Sequence, residues 1–455
     1  MPCPHASGGR DDDGDDSEGV LSRRQMIRAA VAVGGTGGLS ACLDREADSG
    51  GPGTDTAAST PTATEQSFPT GPDDLGTLPE RQHAWVESLV RDRFGNTALP
   101  QHQAMLLLEY TGPEPPTETA RKRVEDAFRS LEAAFQRGTG GDSSAVQHEG
   151  LLFVVGYAPR YFRRVGGAMP SGVDLRTPQA VLDELGETDP TADEYDAVIH
   201  LASGYGSVLL AAERALFGDL DELNGQPVIG GLDGIFGVAD RRTGFIGKGQ
   251  PARKYDVEAI PDSAPLSMGF KSGFLDNLPH EDRVTIQSGP FAGGTTMLVS
   301  RIETDLDEWY DHDHGERVER MFSPDHDSGQ VGEIGTDLAS SSGLSQETIE
   351  SAEADARERD LVGHGQKIAH ARDDQQRQPI LRRDFNPTDT PGLHFDSWQR
   401  SIEDFLDVRR AMNGEHIESD VADTADGIRS FIEVTNRATF LMPPRSMRAL
   451  PDPDP

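Results

Sequence analysis

From residue 78 onward, short apolar runs alternate with stretches in which apolar residues recur at helical spacing. Residues 102–110 contain Ala104-Met105-Leu106-Leu107-Leu108, a run that predicts a buried strand. Val124, Phe128, Leu131 and Phe135 then recur at spacings of four, three and four, the signature of one helix face. Further strands are predicted over 151–157, 196–202 and 236–243, with a helix over 208–217 that Gly218 ends. This order fits a ferredoxin-like α+β unit.

A similar cycle restarts after the proline-rich break at 260–266. Strands are predicted over 295–302, 378–385 and 393–398, with one helix opening at 306–309 and another over 402–412. The fold class is therefore α+β, with two tandem ferredoxin-like domains built on antiparallel sheets, over 78–265 and 266–445, and a tail at 446–455. The acidic stretch 325–360 reads as a surface insertion. Residues 43–77 are Asp, Ser, Thr, Gly and Pro with almost no large apolar side chain, which predicts a disordered linker.

Charge changes the picture more than composition does. The 455 residues carry 42 basic and 78 acidic side chains, a net charge of −36 spread along the whole chain. Such a shell keeps a protein hydrated in concentrated salt and repels nucleic acid, so we read it as adaptation to a saline, halophilic setting. Ahead of the linker, Ser22-Arg23-Arg24-Gln25-Met26-Ile27 reads as a twin-arginine export signal and Leu39-Ser40-Ala41-Cys42 as a lipobox. Residues 1–42 are thus expected to direct export of the folded chain, with lipidation of Cys42 as the only attachment to the outer face of the membrane. Cys3 and Cys42 are the only cysteines, so the body holds no disulfide, zinc–thiolate site, iron–sulfur cluster or thiolate-bound haem.

The richest local chemistry lies near the C-terminal end. Gly363-His364-Gly365 is followed by Ile380-Leu381-Arg382-Arg383 and Gly392-Leu393-His394-Phe395. A histidine between glycines, then paired arginines on an apolar strand, is a way to hold a haem iron and polarise its ligand. Taken alone, a histidine between two glycines is more often a turn residue. Asp311-His312-Asp313-His314 fits no standard metal spacing and reads as a solvated loop.

With the tandem α+β pattern, four segments resemble the dye-decolorizing (Dyp-type) peroxidase family. They are Gly150-Leu151-Leu152-Phe153-Val154-Val155-Gly156-Tyr157 with Phe162, Met268-Gly269-Phe270-Lys271-Ser272-Gly273, Gly293-Gly294-Thr295-Thr296-Met297-Leu298-Val299 with Arg301, Leu306 and Trp309, and the histidine-to-phenylalanine stretch just described. The resemblance covers residues 78–445 in order. It implies haem b in a pocket mainly in the C-terminal domain, with His364 as the iron ligand and His370 as its competitor. It further implies Arg382 as the distal arginine, Arg383 at a propionate or in a salt bridge, and the Gly269–Gly273 loop on the distal face. Hydrogen peroxide and an organic or metal electron donor would be the substrates; the donor's identity and the oligomeric state, a homo-oligomer included, stay open. An acceptor on the far ring nitrogen of His364 is expected to fix its orientation.

One position departs from the family pattern. Ser272 stands where the motif has aspartate, and a hydroxyl cannot act as a base near neutral pH unaided. Asp276, one helical turn further on, is the candidate substitute. The rival reading is a surface lipoprotein that binds or handles haem or iron without catalysis, and a third is a binding module without the cofactor.

Overall fold

The computed structural model describes residues 67–418 and 426–455, all of which fall in one compact unit. Arg23, Arg24, Cys42 and most of the expected linker lie outside the described residues. The first half runs β1 (His102–Tyr110), α1 (Glu118–Ala134), β2 (Leu151–Tyr157), α2 (Pro178–Leu185), β3 (Ala197–Ser203), α3 (Gly206–Phe217) and β4 (Phe236–Phe245). The second runs β5 (Thr295–Thr304), α4 (Leu306–Asp311), α5 (His314–Met321), α6 (His364–Ala369), β6 (Leu381–Arg382), β7 (Asn386–Pro387), β8 (Gly392–Gln399), α7 (Ile402–Asn413) and β9 (Ile432–Met442). Together the strands form one sheet in the order β6-β8-β5-β9-β2-β3-β1-β4-β7. Between β9 and β2 this divides into two antiparallel sheets, each with four strands in the order second, third, first, fourth, which is the ferredoxin-like arrangement, and β7 from the second half adds to the free edge of the first.

The halves meet where Leu441 pairs with Tyr157. A second junction comes from a short piece of chain between β6 and β8: Phe385 pairs with His394 of the second sheet, and the next two residues pair with Gly244 and Phe245 of the first. Asn386 locks this seam, donating to the Phe245 and Pro265 carbonyls and accepting from the Ser267 amide.

Strands sandwiched in this way are buried on both faces, so they read as continuous apolar runs. In β1, Ala104, Leu106, Leu108 and Tyr110 face α1 and α3, while Met105 and Leu107 face the space between the two half-sheets, with Met297, Val299, Trp398 and Phe440 opposite. On the outer face of the second sheet Leu298 packs with Ile402, Phe405 and Leu406 of α7.

Several expectations need correction. The strand expected over 378–385 shrinks to Leu381–Arg382, because the chain leaves β8 to reach β4. The 325–360 segment is no surface appendage: Val331, Ile349 and Ala356 are buried, and Ser342, in a loop between its short helices, lines the site below. Residues 446–455 are not a loose tail either. Arg448 is buried between Glu125 and Glu132, and the Leu450 amide donates to the Tyr157 hydroxyl. At the other end Phe68, inside the expected linker, packs on Phe135 and Tyr205.

Candidate functional site

A cavity of about 240 Å³ opens between the outer face of the second sheet and helices α6 and α7. Ser300, Ile302 and Thr304 of β5, Leu393 and Phe395 of β8, and Ile432, Val434 and Arg437 of β9 form its floor. A β-bulge makes that floor possible. Ile302 pairs with Val434 but Arg301 with Asn436, so Thr435 is the extra residue. It shifts the alternation so that Val434 and Arg437, on opposite sides of the bulge, face the same way.

His364 opens α6 rather than sitting in a turn, with Gly363 as the cap residue before it. A Cβ on Gly363 would lie 2.2 Å from the Phe322 carbonyl oxygen, so glycine is required for the close backbone approach that seats the helix. The imidazole lines the cavity, its Nδ1 is enclosed, and neither ring nitrogen hydrogen-bonds to a described residue. The acceptor expected on the far nitrogen is therefore missing. Burial, reinforced by the charges of Arg382, Lys367 and Arg409, pushes its pKa down to about 3, so the ring is neutral across the ordinary pH range.

The structure brings Arg382, Ser272 and Gly273 to the same cavity. The Arg382 guanidinium lies 3.5 Å from the Asp384 carboxylate and makes no hydrogen bond to a described residue. Gly273 is in the left-handed region (φ +81), which lets the loop turn at the cavity wall, and Ser272 is exposed beside it.

Other expected residues lie elsewhere. Arg383 points, as strand alternation dictates, to the opposite face, where its guanidinium covers the Trp398 ring in the space between the sheets. It is no partner for a group in the cavity. Gly269 is buried outside the lining, against the Tyr310 hydroxyl. His370 is exposed, bonds to the Ile349 carbonyl and stacks on His416 with ring centroids 3.7 Å apart. Asp276 accepts from Ser340 on the surface and does not reach the cavity.

Sequence reasoning missed Arg372, Arg409 and Arg437 among the charged lining residues, and gave no role to Lys271 within the Gly269–Gly273 loop. One signal for Arg409 was present, since it shares a helical face with Phe405, Val408 and Met412. Arg409 and Arg437 converge on Glu187, which lies outside the lining and accepts from both at 2.6–2.8 Å. With Lys271, Arg372 and Arg382 they make five cations around the cavity, and no described aspartate or glutamate lines it.

A two-sheet body with this strand order is the fold of the Dyp-type peroxidases. The encapsulated DyP-type peroxidase of Mycobacterium smegmatis superposes with a TM-score of 0.50 at 14% identity, over 81% of this chain and all (100%) of that one. A dye-decolorizing peroxidase of Bacteroides thetaiotaomicron gives 0.48 at 13% identity, over 80% and 98%. A single-residue variant of Rhodococcus jostii DypB, in complex with heme, gives 0.48 at 14%, over 78% and 96%. At these identities the likeness is one of fold. By sequence, the chain belongs to a family of unknown function, DUF7405, whose model matches residues 100–444. No curated protein matches the sequence.

Proposed function

We propose that the chain is a haem-dependent peroxidase of Dyp type, reducing hydrogen peroxide while oxidising an organic or metal donor. The observation that carries the proposal is the meeting of His364 and Arg382 in one largely apolar cavity lined by no described acid. The lining suits haem b: an unbonded neutral imidazole to take the iron, apolar walls such as Ile380, Leu393 and Phe405 for the ring, and cations for its carboxylates. Haem, when bound, supplies the redox-active iron.

The protein's own contribution is electrostatic. Peroxide is more reactive as its anion, and the fixed charge of Arg382 lowers the cost of forming that anion in an apolar site. The proton must then leave without a carboxylate, through the Ser272 hydroxyl or water, since no described acid lines the cavity. That same feature favours a second reading, a haem-handling protein with no catalysis. The export motif Arg23-Arg24 and the lipobox at Cys42 support placing either activity at the outer surface of the membrane, and the net charge of −36 supports a saline setting.

One spectroscopic experiment tests both readings. Apo-protein mixed with haem b in concentrated salt should give a Soret band that His364→Ala abolishes and His370→Ala keeps. Peroxide should then change the spectrum and drive donor oxidation. Absence of any haem binding sinks both readings, and haem binding without a peroxide response leaves only the second.

A further inference from the structure

We propose that the polar corner around Arg372 binds a carboxylate group of the cavity's ligand. The inference rests on the cavity being a ligand site, as the proposed function requires, and assigns chemistry to a part of it that no expected residue explains.

Three separate pieces of chain build the corner. The Arg372 guanidinium donates through Nη2 to the Ser342 hydroxyl at 3.0 Å, the Ser342 amide donates to Asn277 Oδ1 at 2.8 Å, and the Gln378 amide donates to the Asn277 carbonyl at 3.0 Å. All four residues line the cavity. The remaining Nε and Nη1 of Arg372 are enclosed, with no partner, and the Gln378 Oε1 is likewise unpartnered.

Such a guanidinium is costly in an empty protein. Enclosed N–H groups without acceptors forfeit their hydration, and a charge removed from water needs a counter-charge. Elsewhere this chain supplies one: Arg437 has Glu187, Arg448 has Glu125 and Glu132, and Arg242 has Asp193. Arg137 and Arg383 form no ion pair, yet each has carboxylates near enough to support its charge. Arg372 has none among the described residues, and burial alone pulls its pKa down to about 10. Among the described residues the partner withheld from Arg372 is the one a ligand carboxylate would replace.

Two ligands have that chemistry: the cofactor, through a propionate, and an anionic aromatic donor. Titration of apo-protein by tryptophan fluorescence with haem b and with haem dimethyl ester, which lacks free carboxylates, tests the first. Equilibrium binding of benzoate to wild-type protein, with and without haem, tests the second. Arg372→Gln should weaken whichever carboxylate ligand is bound by about tenfold to a hundredfold, the usual effect of losing hydrogen bonds to a charged group. It should leave the ester unaffected, and Arg372→Lys should recover part of the loss. The apo-protein should melt no lower as Arg372→Gln than as wild type, because an uncompensated charge has been removed. If haem b and benzoate bind Arg372→Gln as they bind wild type, or if the apo variant melts several degrees lower, the corner is structural and the inference is wrong. Failure of haem b to bind wild type at all would instead sink the proposed function, leaving the benzoate titration to decide the role of Arg372.

Discussion

Both halves of this protein use the same strand order, yet the outer face of the first sheet is filled and that of the second is hollow. Over the first, Val124, Phe128 and Leu131 of α1 and Val208 and Ala212 of α3 close on the strands, and the buried Arg448 is matched by Glu125 and Glu132. Over the second, α6 and α7 stand off around a cavity lined by cations and by no described acid, Glu187 supporting Arg409 and Arg437 from outside the lining. Topology is thus shared and the cavity is not: it arises from a bulge in β9 and from the side chains that β5, β8, α6 and α7 aim inward.

The contrast is open to test, most severely in the filled half. Phe128→Ala removes a ring packed under Arg448 and against Phe153, and should cost about 3–5 kcal/mol of unfolding free energy. Phe395→Ala, bordering a space already present, should cost less than half as much by chemical denaturation. Equal losses would mean that the second face is as tightly packed in solution as the first.

Glu132→Gln comes next. Burial alone would raise the Glu132 pKa, but its bonds to Arg445 and Arg448 outweigh that and hold it down at about 2. A carboxylate whose pKa is lower folded than unfolded stabilises the fold above its unfolded value of 4.5 and loses that contribution as pH falls toward 2. Wild type should therefore lose roughly 3 kcal/mol across that window, at about 1.4 kcal/mol per unit. The variant should be less stable by a similar amount at pH 7 and show a flatter acid limb. A parallel limb would remove Glu132 as the source.

Ser272→Asp should do least to the fold, within about 0.5 kcal/mol, as expected at an exposed position. Its effect belongs to chemistry: an added carboxylate at the cavity should speed the reaction of the haem-loaded protein with peroxide by about a hundredfold. No change in the rate would mean that Ser272 is not where the proton moves.

Much of the fold was legible because strands buried on both faces announce themselves, and β1, β2, β3, β5 and β8 all fall within two residues of their expected limits. The last strand escaped notice. In β9 the sequence Val434-Thr435-Asn436-Arg437 breaks the apolar alternation at the bulge, so the strand that joins the two sheets has the weakest pattern of all. His364, Arg382 and Ser272 were singled out through the motifs that carry the family resemblance, and all three line the cavity. Arg372 could not be, because what marks it is the absence of carboxylates from segments distant in sequence. Nor could the fate of Arg383 beyond its parity, since that depends on Trp398 of a neighbouring strand.

A cavity lined by no described acid has a kinetic consequence. A chain of net charge −36 repels an anionic ligand at long range, while the cations inside attract it only once it has arrived. Salt screens exposed charges more than enclosed ones, with a Debye length of about 10 Å at 0.1 M and about 3 Å at 1 M. Added salt should therefore raise the association rate of a carboxylate ligand and change its dissociation rate little, which stopped-flow mixing would measure directly. The usual sign for an anion meeting a cationic pocket is the reverse: here added salt should help the ligand to find the pocket.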